Sequence, residues 1–244
     1  MKTLSATKLI VLASSLFLFS CSDNGICIKG QGELETRTLS LSEFTGVGLS
    51  RSANVTIRQG NVQEVRVTGE PNILDRLETK VSGGIWDIDL ERGCYRSYDL
   101  DVDIVVPNLD LISVSGSGDI TIKDFENQRN LDLSISGSGD INLNRFEGLN
   151  TLDINVSGSG DIIGLDTIKN VNLVEMRFSG SGNYQGYPIL TKACDVNISG
   201  SADCYISVED ELDVRISGSG NVFYKGNPQI TQSITGSGKL RSRN

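Results

Sequence analysis

The sequence predicts an all-β protein, a right-handed parallel β-helix or solenoid built from repeats of about 21 residues. Two observations carry this prediction: a repeated glycine-rich motif and a strict alternation of apolar and polar residues beside each copy. The motif is Ser-Gly-Ser-Gly-Asp or a close variant, and its copies begin at Ser115, Ser136, Ser157, Ser179, Ser199, Ser217 and, as Thr-Gly-Ser-Gly, Thr235. Their spacings are 21, 21, 22, 20, 18 and 18 residues.

Each motif is flanked by strands. Upstream of one copy, Leu131, Leu133 and Ile135 alternate with polar residues, and Ile141 and Leu143 continue the pattern downstream. Stacking equivalent strands about 4.8 Å apart would give one continuous apolar interior. In such corners we expect Gly116, Gly118 and their equivalents to adopt backbone angles that a Cβ atom forbids. A meander in which each motif is a hairpin turn is the alternative, but identical corners with apolar residues on both flanks favour stacking.

Residues 33–108 differ from the repeats in 109–244. Strands are predicted at 36–41, 53–58, 64–68, 85–91 and 98–106, and a helix at 72–79 after Pro71. Residues 49–55 resemble a degenerate corner. We therefore expect this N-terminal β region to begin the solenoid and to cap its first coil.

The N-terminus has the features of a bacterial lipoprotein signal. Lys2 and Lys8 precede a short apolar run, which predicts a signal peptide over residues 1–20 and is too short for a membrane span. Leu18-Phe19-Ser20-Cys21 resembles a lipobox, so Cys21 is the predicted lipidation site and residues 21–32 a lipidated tether. The alternative is an ordinary signal peptide with an unmodified Cys21. The resemblance to lipoproteins implies an outer-membrane location and leaves open which side of that membrane the body faces.

Composition excludes several classes of function. The chain of 244 residues has no histidine, which removes His-based zinc sites and Ser-His-Asp or Cys-His catalysis. Its formal charge of −9 and the lack of a basic cluster argue against nucleic acid as a partner. We expect no cofactor.

The remaining cysteines are Cys27, Cys94, Cys194 and Cys204. Export permits disulfides, and because Cys27 and Cys94 both lie outside the repeats, theirs is the first pairing to test. Free, buried cysteines are the alternative.

The residue after each corner is the main candidate for ligand binding. Stacking would place Asp119, Asp140 and Asp161 in one column about 5 Å apart, where like charges repel. Solvent exposure with hydrogen bonds to nearby corner N–H groups would relieve this repulsion, and so would a bound Ca²⁺. Trp86, the one tryptophan, could stack on a sugar, but its alternating strand favours a packing role.

Three segments carry a family resemblance: Phe44-x-Gly46-Val47, the run from Val65 to Leu74 that includes Gly69-Glu70-Pro71-Asn72, and the corners that follow Pro107-Asn108-Leu109. With these, residues 36–230 resemble the family called putative auto-transporter adhesin, head GIN domain. The resemblance implies a β-helical fold and a role in adhesion.

The predicted function is a non-enzymatic cell-envelope lipoprotein with an adhesin-like binding or structural role, held at the membrane by its lipid and presenting Ser, Asn and Asp ladders to a glycan or protein ligand. The alternative is a polysaccharide-degrading β-helix enzyme, since carboxylates are abundant. Against it, the acidic residues recur in register with the repeat, and no coil carries a long insertion that could wall a cleft.

Overall fold

Parallel strands stacked coil upon coil make up most of the protein in the computed structural model, which describes residues 27–244. Strand accounts for 55% and helix for 2% of the structure, so the predicted all-β solenoid is confirmed. The predicted signal peptide and Cys21 lie outside the described residues.

The strands of the N-terminal part are β1 (Glu35–Leu39), β2 (Gly46–Leu49), β3 (Asn54–Gln59), β4 (Glu64–Gly69), β5 (Val81–Ser82), β6 (Ile85–Ile88) and β7 (Leu100–Val106). The helix α1 spans Pro71–Leu74. The repeats supply β8 (Leu111–Val114), β9 (Asp119–Ile122), β10 (Asn130–Ile135), β11 (Ile141–Leu143), β12 (Thr151–Val156), β13 (Ile162–Gly164), β14 (Ile168–Phe178), β15 (Tyr184–Ile198), β16 (Asp203–Ile216), β17 (Asn221–Lys225), β18 (Gln229–Ile234) and β19 (Leu240–Ser242).

Each coil contributes one strand before its corner and one after it. The strands before the corners form a parallel sheet, here called the upstream face, made of β6, β2, β8, β10, β12, β14, β18 and the second parts of β15 and β16. Those after the corners form the downstream face, made of β7, β3, β9, β11, β13, β17, β19 and the first parts of β15 and β16. Parallel pairing of this kind rules out the hairpin meander.

The pairing register reproduces the repeat spacing. Leu131 pairs with Leu152, and Leu152 pairs with Val174 in the next coil. Their side chains are buried, and so are the equivalent residues of the downstream face, such as Ile120, Ile141 and Ile162. The interior is therefore a set of aliphatic columns that run along the solenoid.

The glycines of the corners serve a different purpose from the one the sequence suggested. Among residues 27–244 the glycines with positive φ are Gly32, Gly83, Gly84, Gly148 and Gly226, so the expectation for Gly116, Gly118 and their equivalents is wrong. Their role is close approach between coils. A Cβ on Gly158 would overlap the carbonyl oxygen of Gly137, the same carbonyl that accepts a hydrogen bond of 2.9 Å from the Ser159 N–H.

At the N-terminal end, spatial order departs from chain order. The coil formed by β2 and β3 lies between β6–β7 on one side and β8–β9 on the other. Beyond β7, the antiparallel strands β4 and β1 extend the sheet. The N-terminal region thus contributes coils to the solenoid and also closes its end.

The helix α1 is shorter than the predicted 72–79. After Leu74 the backbone turns to pair with residues near the end of β6: Leu77 bridges Leu90, and the Glu78 N–H donates to the Asp89 carbonyl over 2.8 Å. Tertiary hydrogen bonding therefore overrides the local helical pattern.

Trp86 belongs to the core of this cap. Its side chain is fully buried, its ring packs 5.9 Å from that of Phe44, and its Nε1–H donates to the Glu78 carbonyl over 3.0 Å. A buried tryptophan with a satisfied N–H stabilises the cap and presents no surface to a sugar.

Residues 27–32, which the sequence assigns to the tether, contact the folded body. Cys27 and Cys94 form a disulfide, Ile28 bridges Tyr95, and the Gln31 N–H donates to Asn72 over 2.8 Å. Within residues 27–244 no helix has the length and apolarity that crossing a bilayer requires.

Candidate functional site

The corner column is built as a ladder of hydrogen bonds between coils. The side chain of Asp119 accepts the Asp140 backbone N–H at 2.9 Å, and that of Asp140 accepts the Asp161 N–H at 2.7 Å. The same bond then joins Asp161 to Asn183, Asn183 to Asp203, and Asp203 to Asn221. The structure thus brings the three predicted aspartates together in register, and extends the column beyond them.

These bonds explain how the column tolerates its charge. Each carboxylate receives an N–H from the next coil, and charge-assisted bonds of this kind are roughly twice as strong as neutral ones. Where the column continues, Asn183 and Asn221 also donate their side-chain amides to Asp161 and Asp203 at 3.0 and 2.8 Å. Within the described part of the chain, no group of three or more acidic or cysteine side chains is arranged to hold a metal ion. The hydrogen bonds are those expected from the first of the two explanations, and calcium binding stays a prediction.

A second column of carboxylates, not predicted as a site, lies on the upstream face. Five acidic residues occupy equivalent outward positions on adjacent coils: Asp132, Asp153, Glu175, Asp195 and Asp213. Two positions further along each strand is a neighbouring column of Ser134, Asn155, Arg177, Asn197, Arg215 and Ser233. The two columns run side by side along the solenoid.

The column that begins at Ser134 supplies hydrogen-bond and ion-pair partners for the carboxylate column. Arg215 contacts Asp195 and Asp213 at 3.4 and 2.5 Å, bridging two successive carboxylates. Arg177 lies 3.6 Å from Asp153. The amides of Asn155 and Asn197 donate to Asp153 and Asp195 at 3.0 and 2.8 Å. Because both arginines are about half exposed, they can also meet a ligand.

Asp132, the first residue of the carboxylate column, lies in an electrostatic environment that is unfavourable to its charge. Partial burial raises its carboxyl pKa above the ordinary value, and the negative charges of Asp153 and Asp110 raise it further. Arg177 is two coils away in the register. The carboxylate form of Asp132 is therefore less favourable than that of an isolated aspartate.

A groove of about 620 Å³ lies between this polar surface and the corners. Asn155, Arg177, Asn197 and Arg215 supply amide and guanidinium groups, and the corner residues Ser157, Ser179, Ser199, Ser217 and Thr235 supply a row of hydroxyls. A volume of this order accommodates a small ligand or a few units of a polymer. We call these residues the polar groove.

The polar groove could be missed in the sequence because its residues stand where any solvent-facing strand residue stands. Period-two alternation marks Asn155 and Asn197 as outward, but it does not distinguish a solvated face from a binding one. Their identical position in different repeats was the available signal. Arg177 and Arg215 differ from the Asn residues of the same column, so only aligned repeats reveal them.

The cysteines fall into two classes. Cys27 and Cys94 are joined, while Cys194 and Cys204 are free and buried in the interior. Burial raises the thiol pKa of both free cysteines well above the usual range, so they remain protonated and act as small core residues.

Comparison with known proteins agrees with this architecture. Residues 43–228 match the family described as "Putative auto-transporter adhesin, head GIN domain". The chain belongs to this family. No curated protein gives a significant match to it.

Solved structures share the fold. A "putative adhesin" from Bacteroides fragilis NCTC 9343 has a TM-score of 0.78 and 21% identity, covering 88% of this chain and 100% of its own. A "putative lipid binding protein" from Parabacteroides distasonis ATCC 8503 has a TM-score of 0.74 and 24% identity, covering 90% and 100%. A "putative adhesin" from Parabacteroides merdae ATCC 43184 has a TM-score of 0.70 and 18% identity, covering 89% and 99%. At these identities the likeness establishes a common fold.

Proposed function

We propose that this family member is a non-enzymatic, adhesin-like binding protein of the cell envelope, held at the outer membrane by a lipid on Cys21. The observation that carries the proposal is the polar groove, a rigid array of amides, guanidinium groups and hydroxyls repeated from coil to coil. A repeated array suits a repeated ligand, and a glycan chain is the ligand we expect. The chemistry of hydroxyl recognition requires donors and acceptors of this kind.

The carboxylates support a binding role over a catalytic one. In the corner column they accept backbone N–H groups, and on the upstream face Asp153, Asp195 and Asp213 pair with Arg177, Arg215 and the Asn amides. General acid catalysis of glycoside cleavage needs one carboxyl group held apart from its neighbours with a distinct pKa. Asp132 has a raised pKa through partial burial and the charges of Asp153 and Asp110, so it is not held apart from neighbouring carboxylates.

Binding through the polar groove is tested with Arg177→Gln on an array of cell-surface and extracellular glycans. We expect the parent to bind and the variant to lose most of the signal. Lys123→Gln, which removes an exposed cation outside the groove, is the matched control. Equal binding by the parent and Arg177→Gln would exclude the groove, and hydrolysis of any bound polysaccharide would contradict the non-enzymatic role.

The anchor is tested separately with Cys21→Ala. The parent is expected to fractionate with outer membranes and to be digested by protease added to intact cells. The variant should appear in the soluble fraction. A variant that stays with the membrane would contradict lipidation, and a parent protected from protease would contradict adhesion at the surface.

A further inference from the structure

Three aromatic side chains cluster on the downstream face near its C-terminal end. Tyr205 and Phe223 are neighbours in the outward register, with ring centroids 4.9 Å apart and planes 13° apart. Tyr187 meets Tyr205 edge to face, with centroids 5.5 Å apart. All three lie at outward positions of their strands, where Tyr187 and Tyr205 are half-buried and Phe223 is buried beneath its neighbours.

The two tyrosines line a cavity of about 620 Å³ that is separate from the polar groove. Asn183, Gln185 and Asp203 supply polar groups at its edge, and Gly164 contributes no side chain. Tyr187 and Tyr205 are half-buried, so ring surface faces solvent. A cavity with an aromatic wall and a few polar groups is the usual form of a small-ligand site.

The polar groups retain hydrogen-bonding capacity for a ligand. Asp203 uses Oδ1 to accept the N–H groups of Asn221, and its Oδ2 has no hydrogen-bond partner among residues 27–244. The Gln185 side chain is exposed. Tyrosine ring surface with a free carboxylate oxygen and an amide beside it matches a pyranose, whose C–H face packs on aromatic rings while its hydroxyls bond at the edge.

Two cations lie against the rings of the aromatic cluster, next to the cavity and not in its lining. The Lys225 Nζ lies 4.4 Å from the centroid of the Tyr187 ring, and the Arg243 guanidinium lies 4.8 Å from that of Phe223. The charge of Arg243 also acts on Tyr187, lowering its hydroxyl pKa against the larger upward effect of burial. From Val214 to Asn244 the chain has no acidic residue and five basic ones, Arg215, Lys225, Lys239, Arg241 and Arg243, although the whole chain carries a formal charge of −9.

We propose that Tyr187 and Tyr205 form a binding site for an acidic sugar, a pyranose ring that carries a carboxylate, with Lys225 and Arg243 supplying the attraction for its charge. Asp203 and Gln185 bind the ring hydroxyls. The site uses different residues from the polar groove and a different face of the solenoid. It adds a ligand class to the proposed function but does not depend on binding in the groove.

The test is an array of oligosaccharides that contain hexuronic or sialic acids, printed beside neutral oligosaccharides of the same linkage. We expect the purified protein to bind acidic glycans, and calorimetric titration with the best of them to give an affinity that falls with added salt. Tyr187→Leu and Tyr205→Leu should each weaken binding by about tenfold. Tyr187→Phe, which keeps the ring, should bind like the parent.

Two further variants separate the contributions. Lys225→Gln should reduce affinity for the acidic glycan and leave weak neutral-sugar binding unchanged, because it removes charge and keeps the rings. Asn142→Ala, in the same outward column two coils from Gln185, is the position-matched control and should have no effect. Circular dichroism melting curves check that each variant is folded.

The outcomes distinguish this site from the polar groove. Retention of acidic-glycan binding by Arg177→Gln, together with its weakening by about tenfold in Tyr187→Leu, supports the proposal. Absence of binding to every acidic glycan, equal affinity for acidic and neutral ones, or unchanged binding by both leucine variants would overturn it.

Discussion

The two ends of the solenoid are finished in different ways. At the N-terminal end, β1 and β4 add antiparallel strands beyond β7, Trp86 is fully buried, and a disulfide joins Cys27 to Cys94. At the C-terminal end, β18 and β19 are the last strands of their faces, and Ile230 is 40% exposed. One end is closed by irregular structure, and the other end of the described residues is formed by the repeats.

The difference shows what a repeat can and cannot supply. Each coil buries its apolar columns against its two neighbours, so an identical coil always leaves one side uncovered. The N-terminal end is covered by antiparallel strands and by larger side chains such as Trp86, and both come from residues outside the repeats. At the open end, Lys239, Arg241 and Arg243 place charge on the final edge, which discourages further strand addition.

We expect the largest effect when a corner glycine of a middle coil is replaced, and a smaller one when the equivalent glycine of the last corner is replaced. In Gly158→Ala the new Cβ would overlap the Gly137 carbonyl oxygen, and coils on both sides prevent relief. We expect a loss of about 3 kcal/mol or more in the free energy of unfolding. Gly236→Ala creates the same overlap with the Gly218 carbonyl, but the last coil can shift, so about 1 kcal/mol or less is expected. Urea unfolding of both variants measures the difference, and equal losses would refute the close-approach interpretation.

A core column provides a second contrast between the middle and the open end. Leu152 and Ile230 occupy equivalent positions, but Leu152 is fully buried. Leu152→Ala should cost about 2–5 kcal/mol through lost burial and a cavity. Ile230→Ala should cost about 1 kcal/mol or less, since little apolar area leaves water there. Thermal melts check both, and a large effect at Ile230 would show that the open end is covered in solution.

Removal of the disulfide tests the closed end. Cys27→Ser combined with Cys94→Ser should lower the free energy of unfolding by about 2–4 kcal/mol, because the bond closes a chain segment of 67 residues in the unfolded state. Reductant should destabilise the parent to the same extent and leave the double variant unchanged. Identical melting of the parent with and without reductant would mean that this bond does not support the cap.

The smallest effect concerns Asp132, on the side of the carboxylate column nearer the closed end. Its raised pKa means that the protonated form stabilises the fold at low pH, and that this contribution is lost as pH rises through the folded-state pKa. Asp132→Asn should therefore stabilise the protein at pH 7, by about 0.5 kcal/mol or less because the site is mostly exposed. The gain should vanish below about pH 3.5, where unfolded-state aspartates are also protonated. Asp166→Asn, in an exposed turn, is the control; a gain that persists at low pH would point to a cause other than charge.

The coils could be predicted from the sequence because the spacing of the corner motifs equals the sequence separation of paired strand residues. The pairing of Leu131 with Leu152 shows this. The backbone-angle explanation for Gly158 is wrong because close approach between coils also requires glycine. The two requirements select the same residue, so the sequence does not distinguish them. The sequence prediction placed α1 too far along the chain because the bond from Glu78 to Asp89 is not local. The aromatic cluster was missed because Tyr187, Tyr205 and Phe223 become neighbours only when the coils are stacked in register.

The position of β2 and β3 inside the stack has a consequence for how the chain folds. Asn54 pairs with Asp101, 47 residues later, whereas Leu131 pairs with Leu152 after only 21. The first coil to be synthesised gains one neighbour only when β6 and β7 follow and the other only when β8 and β9 follow, so long loops must close before its apolar residues are buried. In the repeats, every further coil needs only the one before it. We therefore expect the coil of β2 and β3 to form more slowly than the coils of the repeats, and damage within residues 46–122 to impair folding more than the same damage in the last coil.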